Sequence, residues 1–133
     1  VGRRIARLPT AILCARGKVA AWRRRPLTEL DWIEVELAGL ATPESAWLAA
    51  HVARPPSLVC TSYQVQLAAI RSGLGVGVGP RAYARFDRRL DVLDGADLPA
   101  LDVYLVTRHA IRRQPRIAVV LDAVADAIGA LGE

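Results

Sequence analysis

An α/β fold with a mostly parallel sheet is what this sequence predicts, and three observations predict it. Strand-like and helix-like segments alternate along the 133 residues, the order expected when helices cross over between parallel strands. Several helices announce their starts with cap chemistry. Between two of them lies "LGVGVGP", residues 74–80, in which Gly73, Gly75, Gly77 and Gly79 alternate with Leu74, Val76 and Val78. At a two-residue period the glycines share one face and the valines the other. A strand with one bare face lets another backbone, a helix or a ligand come close.

The elements follow in chain order. Residues 10–15, "TAILCA", read as a buried strand. "RGKVAAWRRRPLTEL" reads as a loop with a short helical turn at 27–30. "DWIEVEL" alternates apolar and charged residues, so 32–37 is a strand with Glu34 and Glu36 facing solvent. Thr42 can cap the next helix, with Pro43 at its first position and Glu44 suited to its positive end. Residues 57–61 are a short strand. In "TSYQVQLAAIRSG", Thr61 and Gln64 have capping-box spacing, Val65, Ala69 and Ile70 share a face, and Gly73 stops the helix. The glycine strand follows, and Pro80 opens another helix. "RLDVLDG" is a brief strand and 102–107 a longer one. The last helix, about 115–131, carries one apolar stripe: Ile117, Val120, Leu121, Val124, Ile128 and Leu131.

One domain is the natural count at this length, with enough chain for a core. Hydrophobic residues make up 53%, yet no apolar run reaches the roughly 18 residues of a spanning helix, and no membrane contact is expected. The chain starts with valine, not methionine, which predicts a piece upstream. The opening "VGRRIARLPTAILCARG" fails as a signal peptide, because Arg7 and Pro9 interrupt it and its apolar patch is too short. Cys14 and Cys60 read as small buried thiols of a cytoplasmic protein. The net charge of +5 invites a nucleic-acid reading. But the arginine clusters are scattered, lack interleaved aromatics and fall mostly in expected loops, so direct DNA binding is not expected of this segment.

Chemistry-bearing motifs are scarce. The glycines follow a helix, and G-x-G-x-G-x-G is neither a dinucleotide fingerprint nor a phosphate loop. A helix-turn-helix over this stretch would place three glycines and Pro80 in one helix, at ~1 kcal/mol per glycine and ~3 for proline. No G-x-S-x-G surrounds any serine, and His51 and His109 lack a zinc context. His51 suits a helix end. No catalytic residue, metal or cofactor is expected, and an enzyme is not the reading. What remains are helix starts beyond the carboxyl ends of strands, where α/β sheets bind ligands. Their free N–H groups favour a carboxylate or similar anion. Thr42, Pro43, Glu44, Thr61 and Ser62 are therefore the candidate binding residues, with Pro80 and Arg81 marking a third start. Ordinary capping is the competing role for each.

Several segments, taken in order, resemble the effector-binding domain of LysR-type transcriptional regulators. They are Pro26 to Leu30 before an apolar strand, "SYQVQLAAIRSGLGVGVGP", and "LDVYLVTRHAIRRQPRIAVVLDAV". The likeness spans about residues 5–130. The chain departs from the family pattern at Gly77 and Gly79, usually larger, and at Glu29. The resemblance implies part of a type II periplasmic-binding-protein-like domain. About 10–95 would be its second subdomain, and about 101–132 a strand and helix returning to the first subdomain, most of which lies outside this chain. It implies a small-molecule effector in an inter-subdomain cleft, with a carboxylate among the candidates, and it raises Thr42, Pro43 and Thr61 as contacts. It also implies a homodimer or homotetramer that reaches DNA only through an N-terminal winged helix-turn-helix absent here. A solute-binding protein of transport with the same fold is the alternative, told apart by a signal peptide upstream. With the first subdomain absent, the last helix and the strand at 102–107 are expected to lack a cover. Either the missing half belongs to the molecule or residues 101–132 self-associate.

Overall fold

A computed structural model describes residues 2–132. The chain divides into two compact units: Thr10–Pro99, and the flanks up to Pro9 and from Ala100 on.

In the central unit, β2 (Thr10–Ala15) pairs antiparallel with both β5 (Gly77–Pro80) and β6 (Leu90–Leu93). β3 (Ile33–Val35) runs parallel to β4 (Leu58–Cys60). A parallel bridge between Trp32 and Val76 brings that pair alongside β5. The expected parallel order thus holds on the β5–β3–β4 side, and β2 breaks it by running against both neighbours. No periodicity argument gives strand direction, so this was out of reach of the residues alone.

The glycine run answers to packing. Only Gly77–Pro80 joins the ladder, one register pair being Leu13 with Gly77, while Leu74 lies outside it and is exposed. Val76 and Val78 are buried with Ile12, Cys14, Trp22, Leu30, Trp32 and Trp47 on one side of the sheet. On the other side Ile33, Ala69, Ile70 and Leu13 form a second cluster. A Cβ on Gly77 would lie 2.7 Å from Gln66 Nε2 and 3.0 Å from Ile70 Cδ1. A Cβ on Gly75 would strike the backbone oxygen of Asp31, which accepts the Val76 N–H at 2.8 Å. The bare face therefore admits a helix.

That helix is α3 (Tyr63–Arg71), and its cap corrects one expectation. Ser62, not Thr61, is the N-cap: its hydroxyl accepts from Gln64 N at 3.2 Å and donates to Gln64 Oε1 at 2.8 Å. The buried face is Gln66, Ala69 and Ile70, whereas Val65 is 52% exposed. Gly73, at φ +79°, closes the helix. Its N–H bonds Ile70 O and the next N–H bonds Ala69 O, a Schellman end. α2 (Pro43–His51) starts as expected, with Thr42 as N-cap and Pro43 in the first turn.

Other expectations need correction. The segment after β2 was expected as loop, but α1 (Val19–Arg23) forms there without a side-chain cap. Burial of Trp22 explains it, with Arg25 stacked 5.2 Å from the ring centroid. Pro80 ends β5 instead of opening a helix, and the five-residue α4 (Ala82–Phe86) begins after it. Cys14 is buried, and burial raises its thiol pKa to about 11, with Asp91 adding to the rise and Arg23 opposing it. Cys60 is only half-buried.

In the flanks, β1 (Gly2–Leu8) pairs antiparallel with β7 (Leu101–Val106). The residues of β1 were not expected as a strand, because Arg3, Arg4 and Arg7 hide its alternation. α5 (His109–Arg112) is one short turn within the expected basic loop, and α6 (Pro115–Gly129) is the long last helix. α6 packs on β1, where a Cβ on Gly129 would lie 3.6 Å from Ile5 O. No residue of α6 is buried. Among the described residues β7 has no strand on its second edge. No helix of the described residues is long and apolar enough to cross a membrane.

Candidate functional site

Parallel strands set the site. β3 leads into α2 and β4 into α3, so both helix starts follow the carboxyl ends of adjacent strands. Between them lies a niche of about 10 Å³, lined by Glu34 and Ile33 of β3, Thr42, Glu44 and Ser45 at the α2 start, and Tyr63 and Gln66 of α3. A groove of about 110 Å³ shares Glu34, Ser45 and Leu48 with the niche and continues over Trp32, Val52, Arg54 and Pro56.

The hydroxyls at the α2 start are committed to the fold. Ser45 N–H donates to Thr42 Oγ1 at 3.1 Å, and Thr42 N–H donates to Ser45 Oγ at 3.1 Å. This reciprocal box uses serine where glutamate or glutamine is usual. Pro43 is exposed and lies away from the niche, in an open depression with Trp47, Leu98 and Pro99. Thr61 is exposed and outside the niche as well. Ser62 caps α3. Of the five expected residues, the niche thus brings together Thr42 and Glu44.

Glu44 stands apart. It is 7% exposed, and neither carboxylate oxygen has a hydrogen-bond partner among the described residues. Its place in the first turn of α2 lets the helix dipole favour its charge. Across the niche, burial first, then the charges of Glu44 and Tyr83, push the Tyr63 phenol pKa up. Tyr63 therefore keeps its proton as a donor. Burial first, and Glu36 second, raise the Glu34 carboxyl. Gln66 Nε2 donates to Ile33 O at 2.9 Å, which holds α3 against β3 across the bare glycine face.

Hydrogen bonds and ring contacts tie the tryptophans beside the groove. Trp32 Nε1 donates to Leu27 O, and Trp47 Nε1 to Asp97 O, both at 2.9 Å. The two indoles meet edge to face at 5.9 Å, and His51 stacks on Trp47 at 4.5 Å, at the end of α2 where it was expected. Asp31, next to Trp32 in the chain, accepts from Arg25 and Arg54 at 3.1 Å and from Ser57 at 3.2 Å. The Arg25 bond holds its pKa below the usual carboxylate value. Sequence reasoning missed Tyr63 and Gln66. The signal was a polar residue on the stripe 66, 69, 70, 73, which has better helical spacing than the face that begins at Val65.

Comparison with known proteins gives consistent relatives. The family model described as LysR substrate binding domain matches residues 1–129. No protein of curated function matches the sequence. Among solved structures, the AmpR effector binding domain from Citrobacter freundii superposes with a TM-score of 0.65 at 16% identity, covering 96% of this chain and 67% of that one. The reduced regulatory domain of OxyR2 from Vibrio vulnificus gives 0.62 at 16%, covering 98% and 65%. The regulatory domain of CrgA, a LysR-type regulator from Neisseria meningitidis, gives 0.62 at 13%, covering 97% and 69%. The chain spans about two thirds of the length of these domains.

Proposed function

The chain belongs to the family of LysR substrate-binding domains, and on that premise we propose that it senses a small metabolite for a cytoplasmic transcription regulator. The effector binds in the cleft of the complete domain, against the starts of α2 and α3. Binding shifts a homodimer or homotetramer between arrangements on DNA, and the DNA contact is made by a winged helix-turn-helix outside this chain. The convergence of two helix starts on one niche carries this reading.

The two starts differ in chemistry. The first turn of α2 holds Glu44, whereas the first turn of α3 holds no acidic residue. A carboxylate on the effector is therefore received at residues 61–62, where the start of α3 offers its N–H groups. Thr42 lines the niche and contributes through packing, whereas Pro43, outside it, contributes by starting α2.

Operator binding by the full regulator, measured with and without a panel of small metabolites, tests the function. A ligand-dependent change in affinity or footprint is expected. It should weaken when Ser62→Ala and Tyr63→Phe are combined, with ligand-free DNA binding kept. A regulator indifferent to every small molecule, but switched by a protein partner, would contradict the reading.

A further inference from the structure

Basic residues that lie far apart in the sequence meet at one end of the central sheet. Arg16 follows β2; its N–H donates to Arg89 O at 2.8 Å and its guanidinium to Arg88 O at 3.3 Å. Arg71, at the end of α3, pairs with Asp87 at 2.6 Å, and Arg89 pairs with the same carboxylate at 3.2 Å. Lys18 lies over that helix end, its Nζ 2.9 Å from where a Cβ on Gly73 would stand. Five cations and one acid give the patch a net charge of +4, against +5 for the whole chain. Among the described residues, Arg16, Lys18 and Arg88 have no acidic partner.

Strand register places the patch. β2 runs against β5, so residue 16 lies beyond the amino end of β5, and β5 runs with β3 and β4. The patch therefore sits at the amino ends of the parallel strands, and the starts of α2 and α3 at their carboxyl ends. α3, nine residues and so about 14 Å long, separates the two. The far end carries Glu34, Glu36 and Glu44. Local structure explains part of the patch. Lys18 and Arg71 suit the negative end of α3, and Asp87 ties its own loop to that helix. It does not explain Arg88, exposed beside Arg16 and Arg89, where like charges repel. An anionic partner relieves that repulsion.

Phe86 decides which kind of anion. It adjoins Asp87 in the chain and is 71% exposed, with the Arg85 guanidinium 5.6 Å from its ring centroid. The backbone of duplex DNA takes arginine and lysine but gives a phenyl ring nothing to bury against. Protein interfaces are instead anchored by aromatic residues and arginine together. We propose that residues 16–18, 71–73 and 86–89 form a docking surface for an acidic segment of a partner protein, one that carries an apolar side chain to cover Phe86. The surface lies away from the effector site, so the partner adds to effector sensing and does not replace it.

The test is a nitrogen–proton correlation NMR titration of the 133-residue chain at about 0.15 M salt. The probes are a short glutamate peptide with one central leucine, an all-glutamate peptide of the same length, and a DNA duplex of arbitrary sequence. The leucine peptide should give saturable shifts at the amides of residues 16–18, 72–73 and 86–89, and the all-glutamate peptide should bind about threefold more weakly. R88E should weaken binding at least about fivefold, the loss of one exposed ion pair and the gain of one repulsion. F86S should abolish the preference for leucine. R112E with R113E, on the exposed flank, should leave binding within about twofold of the wild type. Unmoved amides of β2 and β5 report that each variant is folded; if one is not, the three probes on the wild type decide alone. No saturable shifts, an equal loss in the flank variant, or tighter binding of the duplex at the same amides would each overturn the proposal.

Discussion

The central unit and the flanks spend the same kind of residue differently. Between Thr10 and Pro99, two clusters bury Ile12, Trp32, Ile33, Ile70 and Val76 at 0–1% exposure on opposite sides of one sheet. In the flanks, Leu8 alone among the described residues is buried. Val119, Val120 and Val124 of α6 and Tyr104 and Val106 of β7 remain 40–72% exposed. Both regions have regular hydrogen-bonded elements, so the difference is not one of secondary structure. A sheet covered on both faces stabilises itself, whereas a two-stranded ribbon with one helix is marginal alone. The candidate site belongs to the self-covered region, and the flanks have the character of a part awaiting its cover.

The sharpest way to break this contrast is to empty the central core. Trp32→Ala removes an indole 1% exposed together with its bond to Leu27 O, and should destabilise the chain by about 3–5 kcal/mol in urea unfolding. A loss under about 1 kcal/mol would mean the core is not where the stability lies. Next comes Gly75→Ala. Its added methyl meets backbone, not a movable side chain, and should cost about 1–3 kcal/mol.

How far these features could be read from sequence follows the same divide. The caps of α2, the Schellman glycine and the alternating glycine strand were legible, because each is a local demand of the backbone on one residue type. So was α6, whose 15 residues repeat one apolar stripe. What failed depended on partners distant in sequence. β1 exists because β7 pairs with it across about a hundred residues, Leu8 facing Leu101. α1 exists because Trp22 has a core to enter. At the site, Glu44 was legible as a first-turn acid but not as a buried one, since that depends on elements distant in sequence, such as α3, whose Tyr63 and Gln66 line the same niche. Thr61 has capping-box spacing to Gln64, but the helix uses the two-residue spacing from Ser62 to Gln64 instead.

A smaller effect sharpens the contrast through pH. Asp87 accepts from Arg71 Nε at 2.6 Å and from Arg89 N at 2.9 Å. The Arg89 backbone bond is the largest cause lowering its pKa from 3.8 to about 2. Its contribution is complete above pH 4 and is lost as pH falls through about 2. The thermal midpoint should decline over that interval, and Asp87→Asn should flatten the decline. An unchanged slope in the variant would remove Asp87 from the account. The smallest effect belongs to the flanks. Val120→Gln, on a face already 57% exposed, should leave unfolding within about 0.5 kcal/mol of the wild type. A loss of several times that would mean the face is covered in solution, by a second copy of the chain.

Native-state hydrogen exchange of the 133-residue chain tests the central claim most directly, since it reads the stability of each region separately. Backbone amides of β2, β5 and the Ile70 turn of α3 should exchange only through global unfolding. Those of β7 and α6 should exchange by local opening, at least about a hundredfold faster. Equal protection across β2, α3, β7 and α6 would contradict the division into a self-supporting central unit and flanks that need a cover.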